Sequence, residues 1–334
     1  MKIFESIQIK NIEFKNRIVM APMVNFGLPA SPKGIISDGL LHHYLQRADA
    51  GIGLMILQST SVTSSKNIDG RIGMYSDEHI VNIQKIAEAC HKGGTKFFVQ
   101  LAYPSIGYSR GDTINNFTEA DLEKITDKFI SAAERCKGAG CDGIELHGAH
   151  SFFLNMMASP LSNKRTDKYG GDINGRLLLV KNIIEGIKNF SNNNFIVSYR
   201  MGWNDNLDID VQTAQALAAA GVEMLHVSSG IPVNRELRIP NEFMFNDIVY
   251  TGSEIKKHVS IPVIVVNNIR TLHRGNILLE DNLCDFAAYG RPFLADGSFA
   301  LKSMKNYDYE PCFNCKECQW FVNGENCPAV KQMI

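Results

Sequence analysis

Short apolar runs rich in β-branched residues alternate along this chain with longer stretches in which apolar positions recur at helical spacing. The short runs are RIVMAP (17–22), GLMILQ (53–58), KFFVQL (96–101), GIELH (143–147), FIVSYR (195–200), MLHVS (224–228), PVIVV (262–266) and DFAAYG (285–290). That alternation is the pattern of parallel strands joined by helices. Eight such strands predict a closed α/β barrel.

Helical stretches fit between most of them. DEHIVNIQKIAEACHKGG (77–94) stops at a glycine pair, and TEADLEKITDKFISAAERCKGAG opens with Thr118 three residues before Asp121, in the manner of a capping box. DVQTAQALAAAG ends at Gly221. The motif GAGCDG (138–143) has the spacing G-x-G-x-x-G, but it closes a helix and leads into a strand. A dinucleotide fingerprint must follow a strand and open a helix, so this one reads as a turn. No Pro/Ser-rich linker interrupts the pattern before about residue 305, which predicts one barrel over 1–304 and an appended segment over 305–334.

A chain of 334 residues that is 45% hydrophobic is long enough for one large barrel or two ordinary domains. Its net charge of -1, from 34 basic and 35 acidic residues without a block of either sign, gives no reason to expect nucleic acid or an anionic membrane as partner. The first residues lack the apolar core and cleavage site of a signal peptide, and no later run suits a membrane helix. A soluble, cytoplasmic protein is expected. Cys90, Cys136, Cys141 and Cys284 are scattered among apolar or small neighbours and read as buried thiols, whereas Cys312, Cys315, Cys318 and Cys327 crowd into one stretch.

Barrel enzymes carry their chemistry at the C-terminal ends of the strands. Here those ends hold Pro22, Met23 and Val24, then Gln58 and Ser59, Gln100, His147 with His150, Arg200, Ser228, Ser229 and Gly230, Asn267 and Asn268, and Gly290 with Arg291. This ring is polar and cationic. It has no carboxylate cluster for a divalent metal and no nucleophile beside an obvious base, so it suits a large planar anion.

Six segments make a specific resemblance: FKNRIVMAPM, YSDEH (75–79), VQLA (99–102), HGAHSFFLNMMASPLSNKRTDKYGG (147–171), VSSG (227–230) and GRPFLAD (290–296). Their order and content resemble the Old Yellow Enzyme family of FMN-dependent oxidoreductases over most of residues 1–300. The resemblance implies a (β/α)8 TIM barrel with FMN at its mouth and NADH or NADPH as electron donor. By position, Pro22, Met23 and Val24 would lie along the isoalloxazine and Ser59 near its pyrimidine side. Gln100 and Arg200 would bind the pyrimidine edge, where a fixed guanidinium stabilises the charge of reduced flavin. Arg291, with Gly290, Ser229, Asn267 and Asn268, would surround the phosphate. His147 and His150 would polarise the carbonyl or nitro oxygen of a small-molecule substrate while flavin N5 delivers hydride to the β-carbon.

The chain departs from the family in three places. Phe152 stands where most ene-reductases have a proton-donating tyrosine, which leaves Tyr103, Tyr108 or water as the proton source, or a nitro, quinone or flavin reduction that needs none. VVNNI (265–269) replaces a common glycine pair, and asparagine is the residue that best tolerates left-handed backbone after glycine. Val24 stands where some relatives have a flavin-tuning cysteine.

The tail PCFNCKECQWFVNGENCPAV has the spacing C-x2-C-x2-C-x8-C with Pro328 after the last cysteine, which suits a [4Fe-4S] cluster, with zinc as the alternative and disulfides disfavoured by the reducing compartment expected. The 2,4-dienoyl-CoA reductase and trimethylamine dehydrogenase branch carries a similar set after its barrel, followed by a second nucleotide-binding domain. Here Ile334 follows soon after, so the expectation is a separate electron-donor protein, a relay between the subunits of a homo-oligomer, or a cluster that only staples the C-terminal segment. NRELRIP (234–240) resembles the same branch, with Arg235 in place of its catalytic histidine, and Arg110, Arg235 and Arg238 are candidate contacts for an acidic substrate. The sequence therefore predicts an FMN-dependent oxidoreductase acting on an activated C=C bond, with two alternatives: an electron-transfer subunit and a flavin-free phosphate-binding barrel.

Overall fold

The computed structural model describes residues 1–64, 70–103, 114–204, 206–233 and 237–333. Tyr108, Arg110 and Arg235 lie outside the described residues. All eight predicted runs are strands. They follow an antiparallel pair, Ile7–Ile9 (β1) and Ile12–Phe14 (β2), that the apolar pattern did not announce. The eight are Ile18–Met20 (β3), Leu54–Ser61 (β4), Lys96–Ala102 (β5), Gly143–Gly148 (β6), Ile196–Gly202 (β7), Met224–Ser228 (β8), Val263–Val266 (β9) and Phe286–Tyr289 (β10). They form a closed parallel barrel in sequence order, with β10 returning to pair with β3. The expected (β/α)8 barrel is the architecture found.

The helices begin and end where side chains satisfy their free backbone groups. Thr118 and Asp121 form the reciprocal capping box of helix Glu119–Gly138. Helix Ile80–Lys92 stops at Gly93 and Gly94. Helix Leu207–Ala220 starts earlier than its apolar spacing predicts because Asn206 caps it, and it ends on Gly221 at φ 102, a left-handed turn open to glycine. GAGCDG is the turn between helix Glu119–Gly138 and β6, as expected.

Inward-facing side chains change character along each strand. Val19, Leu54, Phe98, Ile196, Met224 and Phe286 fill the N-terminal half of the barrel. Phe14 from the hairpin closes its bottom, edge-on to Phe286 at 5.3 Å and to Phe98 at 6.3 Å. Removing a side chain so placed costs about 3–5 kcal/mol. Two residues further along the same strands the inward positions turn polar: Gln100 after Phe98, Ser198 and Arg200 after Ile196, His226 and Ser228 after Met224. A dry base thus supports a hydrogen-bonding mouth.

The tail packs back on the barrel. Tyr309 donates to Asp296 at 2.7 Å, Arg270 pairs with Glu310 at 2.9 Å, and Trp320 lies edge-on to His43 at 6.0 Å. Among the described residues no helix is long and apolar enough to cross a membrane.

Candidate active site

The two histidines are brought together by an unusual turn. His147 is the inward residue near the end of β6, and His150 and Ser151 follow with φ of 56° and 60°. Left-handed backbone costs a non-glycine residue roughly 1–2 kcal/mol. Three bonds hold it: His150 N–H to the Ser229 carbonyl at 3.0 Å, Phe152 N–H to the Ala149 carbonyl at 3.0 Å, and Ser151 N–H to Asn155 Oδ1 at 3.0 Å. The imidazole centroids are then 5.1 Å apart, nearly perpendicular. Phe152 stacks on His147 at 4.1 Å, and the Arg71 guanidinium lies 5.8 Å from the Phe152 ring centre.

Strand register aligns the rest. Gln100 stands opposite Glu145, His147 opposite Arg200, and Arg200 opposite His226. Gln100 Nε2 donates to Glu145 Oε1 at 2.7 Å, and His226 Nδ1 lies 2.8 Å from Glu145 Oε2, both side chains of that second pair being 0% exposed. Arg200 Nη2 donates to Ser228 Oγ at 3.2 Å, and His150 Nε2 is 2.8 Å from the same oxygen. Burial pushes both His147 and His150 well below the ordinary imidazole value, the cationic Arg200 adding to it and, for His147, the neighbouring His150 as well. Both are neutral at pH 7. Burial also lowers Arg200 to about 10, with Glu145 opposing, so the guanidinium stays charged. Arg200 Nε and His147 Nδ1 are buried without a protein partner. Such atoms mark where a ligand would complete the bonding.

Around this centre the other expected residues form the rim. Ser59 and Gln58 lie at a register shift in the pairing of β4 with β5, which re-aims their side chains. Gln58 Oε1 accepts from the Asn25 N–H at 3.3 Å, tying the segment after Pro22, Met23 and Val24 to β4. Met23 packs so closely on Gly290 that a Cβ there would lie 2.8 Å from its sulfur. Asn267 and Asn268 have φ of 105° and 53°, so both adopt the left-handed backbone that the missing glycines would supply. Arg291 donates to Asn268 Oδ1 at 3.0 Å. Of the serines after β8, Ser228 joins the buried network through its hydroxyl, while Ser229 contributes its carbonyl to the histidine turn. Tyr103 packs against Phe153 at 5.0 Å with the Lys128 ammonium over its ring at 5.9 Å.

Glu145 and His226 were not anticipated from the sequence. A charged residue inside the apolar run GIELH, on the same inward parity as His147, was the available signal.

Cys90, Cys136, Cys141 and Cys284 are buried thiols, as expected, and no disulfide joins any of the eight cysteines. Cys312, Cys315, Cys318 and Cys327 line one small cleft, together with Arg291, Trp320 and Pro328. The Cys312 thiol is pushed up by burial and by its neighbours Cys318 and Cys327, while the Asn314 backbone and Arg291 pull it down. The thiols share a cleft, yet among the described residues no three His, Cys, Asp or Glu side chains stand in a metal-holding arrangement. Arg291 links this cleft to the barrel mouth, donating to Asn314 Oδ1 at 2.6 Å from its second terminal nitrogen.

A closed parallel barrel with a cationic, hydrogen-bonding mouth has the architecture of a barrel enzyme. The sequence profile of the NADH:flavin oxidoreductase / NADH oxidase family matches residues 2–115 and 108–310, and the chain belongs to that family. The chain is 33% identical to an NADH oxidase of Thermoanaerobacter brockii, over 94% of this chain and 52% of the relative. It is 29% identical to an NADPH dehydrogenase of Clostridium acetobutylicum, over 94% of this chain and 100% of the relative. The chain therefore spans about half the length of the first and all of the second. An Old Yellow Enzyme homologue from Zymomonas mobilis superposes with a TM-score of 0.77 at 20% identity, covering 97% of both chains, and shows the same fold. The resemblance to Old Yellow Enzymes drawn from the motifs is borne out at the level of the family.

Proposed function

We propose that this chain is an FMN-dependent oxidoreductase that uses NADH or NADPH to reduce an activated C=C bond of enone or enoate type. Bound FMN would supply the hydride chemistry. One observation carries the reading: the buried, partnerless nitrogens of Arg200 and His147 meet Gln100 and His150 in one mouth of a barrel of this family. Gln100 and Arg200 would hold the pyrimidine edge, with Ser59 beside it and Pro22, Met23 and Val24 along the ring. The left-handed Asn267–Asn268 turn, Ser229, Gly290 and Arg291 would surround the phosphate. These residues suit the group in kind, donors facing an anion. His147 and His150, neutral at pH 7, can each donate one N–H to a substrate oxygen. Tyr103 or water would supply the proton that Phe152 cannot, and Tyr103→Phe tests the choice by losing alkene reduction while reduction by the nicotinamide persists.

Residues 1–304 carry this chemistry, and 305–334 is a separate cysteine segment. Its four thiols suit a [4Fe-4S] cluster in donor type and share one cleft beside a cation, with zinc as the alternative; in the arrangement described they would have to draw together to hold either. Phe152 favours a second reading, reduction of a nitro group, quinone or free flavin, in which no carbon is protonated.

The test is the visible spectrum of protein purified without oxygen, with released flavin, iron, sulfide and zinc measured on the same sample. Flavin bands with iron and sulfide in equal amounts support the flavin and the cluster assignments. Flavin with zinc replaces the cluster, and absence of flavin overturns the central assignment.

A further inference from the structure

We propose that Glu145, backed by His226, is a positioning residue that fixes the direction in which the Gln100 amide faces and balances the charge Arg200 brings to the flavin. The inference rests on the reading that Gln100 and Arg200 hold FMN. A carboxylate can only accept hydrogen bonds. Both oxygens of Glu145 are taken inside the barrel, one by Gln100 Nε2 at 2.7 Å and the other by His226 Nδ1 at 2.8 Å. Gln100 must therefore turn its NH2 towards Glu145, which leaves its carbonyl oxygen for a donor in the mouth. Without Glu145 the two ends of that amide, alike in shape, could exchange. A flavin offers one such donor on its pyrimidine edge, the N3–H group.

The same carboxylate sets the local field. Arg200 is buried on β7 opposite His147, which stands two positions beyond Glu145 on the same inward face of the neighbouring β6, so the carboxylate is the nearby opposite charge. His226 is held below the ordinary imidazole value by burial and is the neutral donor of the pair. With Glu145 present, the cation at the mouth is partly offset; without it, the full charge acts on the bound group, in a medium where such effects are strong. Glu145 touches neither cofactor nor substrate on this reading. Its effect travels through Gln100 and Arg200.

The experiment compares wild type, Glu145→Gln and Glu145→Asp for two properties: the reduction potential of bound FMN, and the preference for FMN over FMN methylated at N3. Wild type is expected to prefer FMN by about threefold to tenfold, the worth of one hydrogen bond. In Glu145→Gln the preference shrinks, because the new amide lets Gln100 face either way, and the potential rises because the balancing charge is gone. In Glu145→Asp, which keeps the charge but withdraws it from Gln100, the preference shrinks while the potential stays near wild type. Should Glu145→Gln fail to fold, Glu145→Asp decides the amide arm alone. Folded variants that match wild type in preference and potential overturn the positioning role and leave the flavin assignment standing. A wild-type protein with no affinity for FMN overturns the assignment instead.

Discussion

The Phe152 ring lies over the His147 imidazole, centroids 4.1 Å apart and planes inclined by 28°. A tyrosine there would keep the stack and add a hydroxyl to the wall of the site. Phe152→Tyr is expected to raise the rate of enone reduction by about a hundredfold, the lower end for a positioned general acid. Reduction of the flavin by NADH or NADPH should not change. Stopped-flow measurement of the two half-reactions checks this, and an unchanged enone rate would show that the proton already arrives by another route.

Ser228 is expected to set the protonation pattern of His150. A guanidinium only donates, so Ser228 Oγ accepts from Arg200 and its own proton can go to His150 Nε2. Neutral His150 would then carry its proton on Nδ1. Ser228→Ala should mix the two tautomers and lower kcat by about threefold to tenfold, with a smaller change in KM, and Ser228→Thr should restore both. Nitrogen NMR of the histidine ring distinguishes the tautomers; an unaltered spectrum in Ser228→Ala would remove the assignment.

Four histidines held in their neutral form make the fold sensitive to acid. His43, His147, His150 and His226 all lie below the ordinary value of 6.5, chiefly through burial. Between the lowered value in the folded chain and about 6.5 in the unfolded one, the unfolded chain binds more protons, so stability falls as pH drops through that window. Above about 7 these groups contribute no slope. The melting temperature should be flat from pH 8 to 7 and decline steadily from pH 6.5 to 5, and the decline should be shallower in His43→Gln. A flat profile down to pH 5 would contradict the neutral, buried assignment.

The cysteine cleft makes a prediction of its own. Arg291 is shared between Asn268 at the mouth and Asn314 between Cys312 and Cys315. Cys312→Ser and Cys318→Ser should each reduce bound iron to a small fraction of wild type, and Cys90→Ser should leave it unchanged because that thiol is buried elsewhere. Metal analysis of anaerobically purified variants gives the result, and equal iron in all three would take the cluster away from the tail.

Much of this organisation can be seen in the sequence, for a physical reason. The barrel strands are buried on both faces, so they read as unbroken apolar runs, and each inward polar residue at a strand end stands out against its run. Gln100, His147 and Arg200 are found that way. The hairpin Ile7–Ile9 and Ile12–Phe14 was missed because three-residue strands are too short to display a period. Glu145 and His226 were missed because they lie within their runs, below the strand ends, where an apolar setting suggests plain core. Ser228 outranks Ser229 in the network through parity: Met224, His226 and Ser228 point inward together. In the tail, spacing reveals four thiols but not their arrangement, which depends on how Trp320 and Arg291 seat the loop.

The closure of the barrel also dictates a schedule. Phe14 packs on Phe286 of the last barrel strand, and β3 finds its second neighbour only in β10. At ribosomal speeds, the residues that separate the two must all emerge first, an interval on the order of tens of seconds. Throughout that wait the edge of β3 and the apolar hairpin have no native cover, so the nascent chain is the form of this protein most in need of a chaperone.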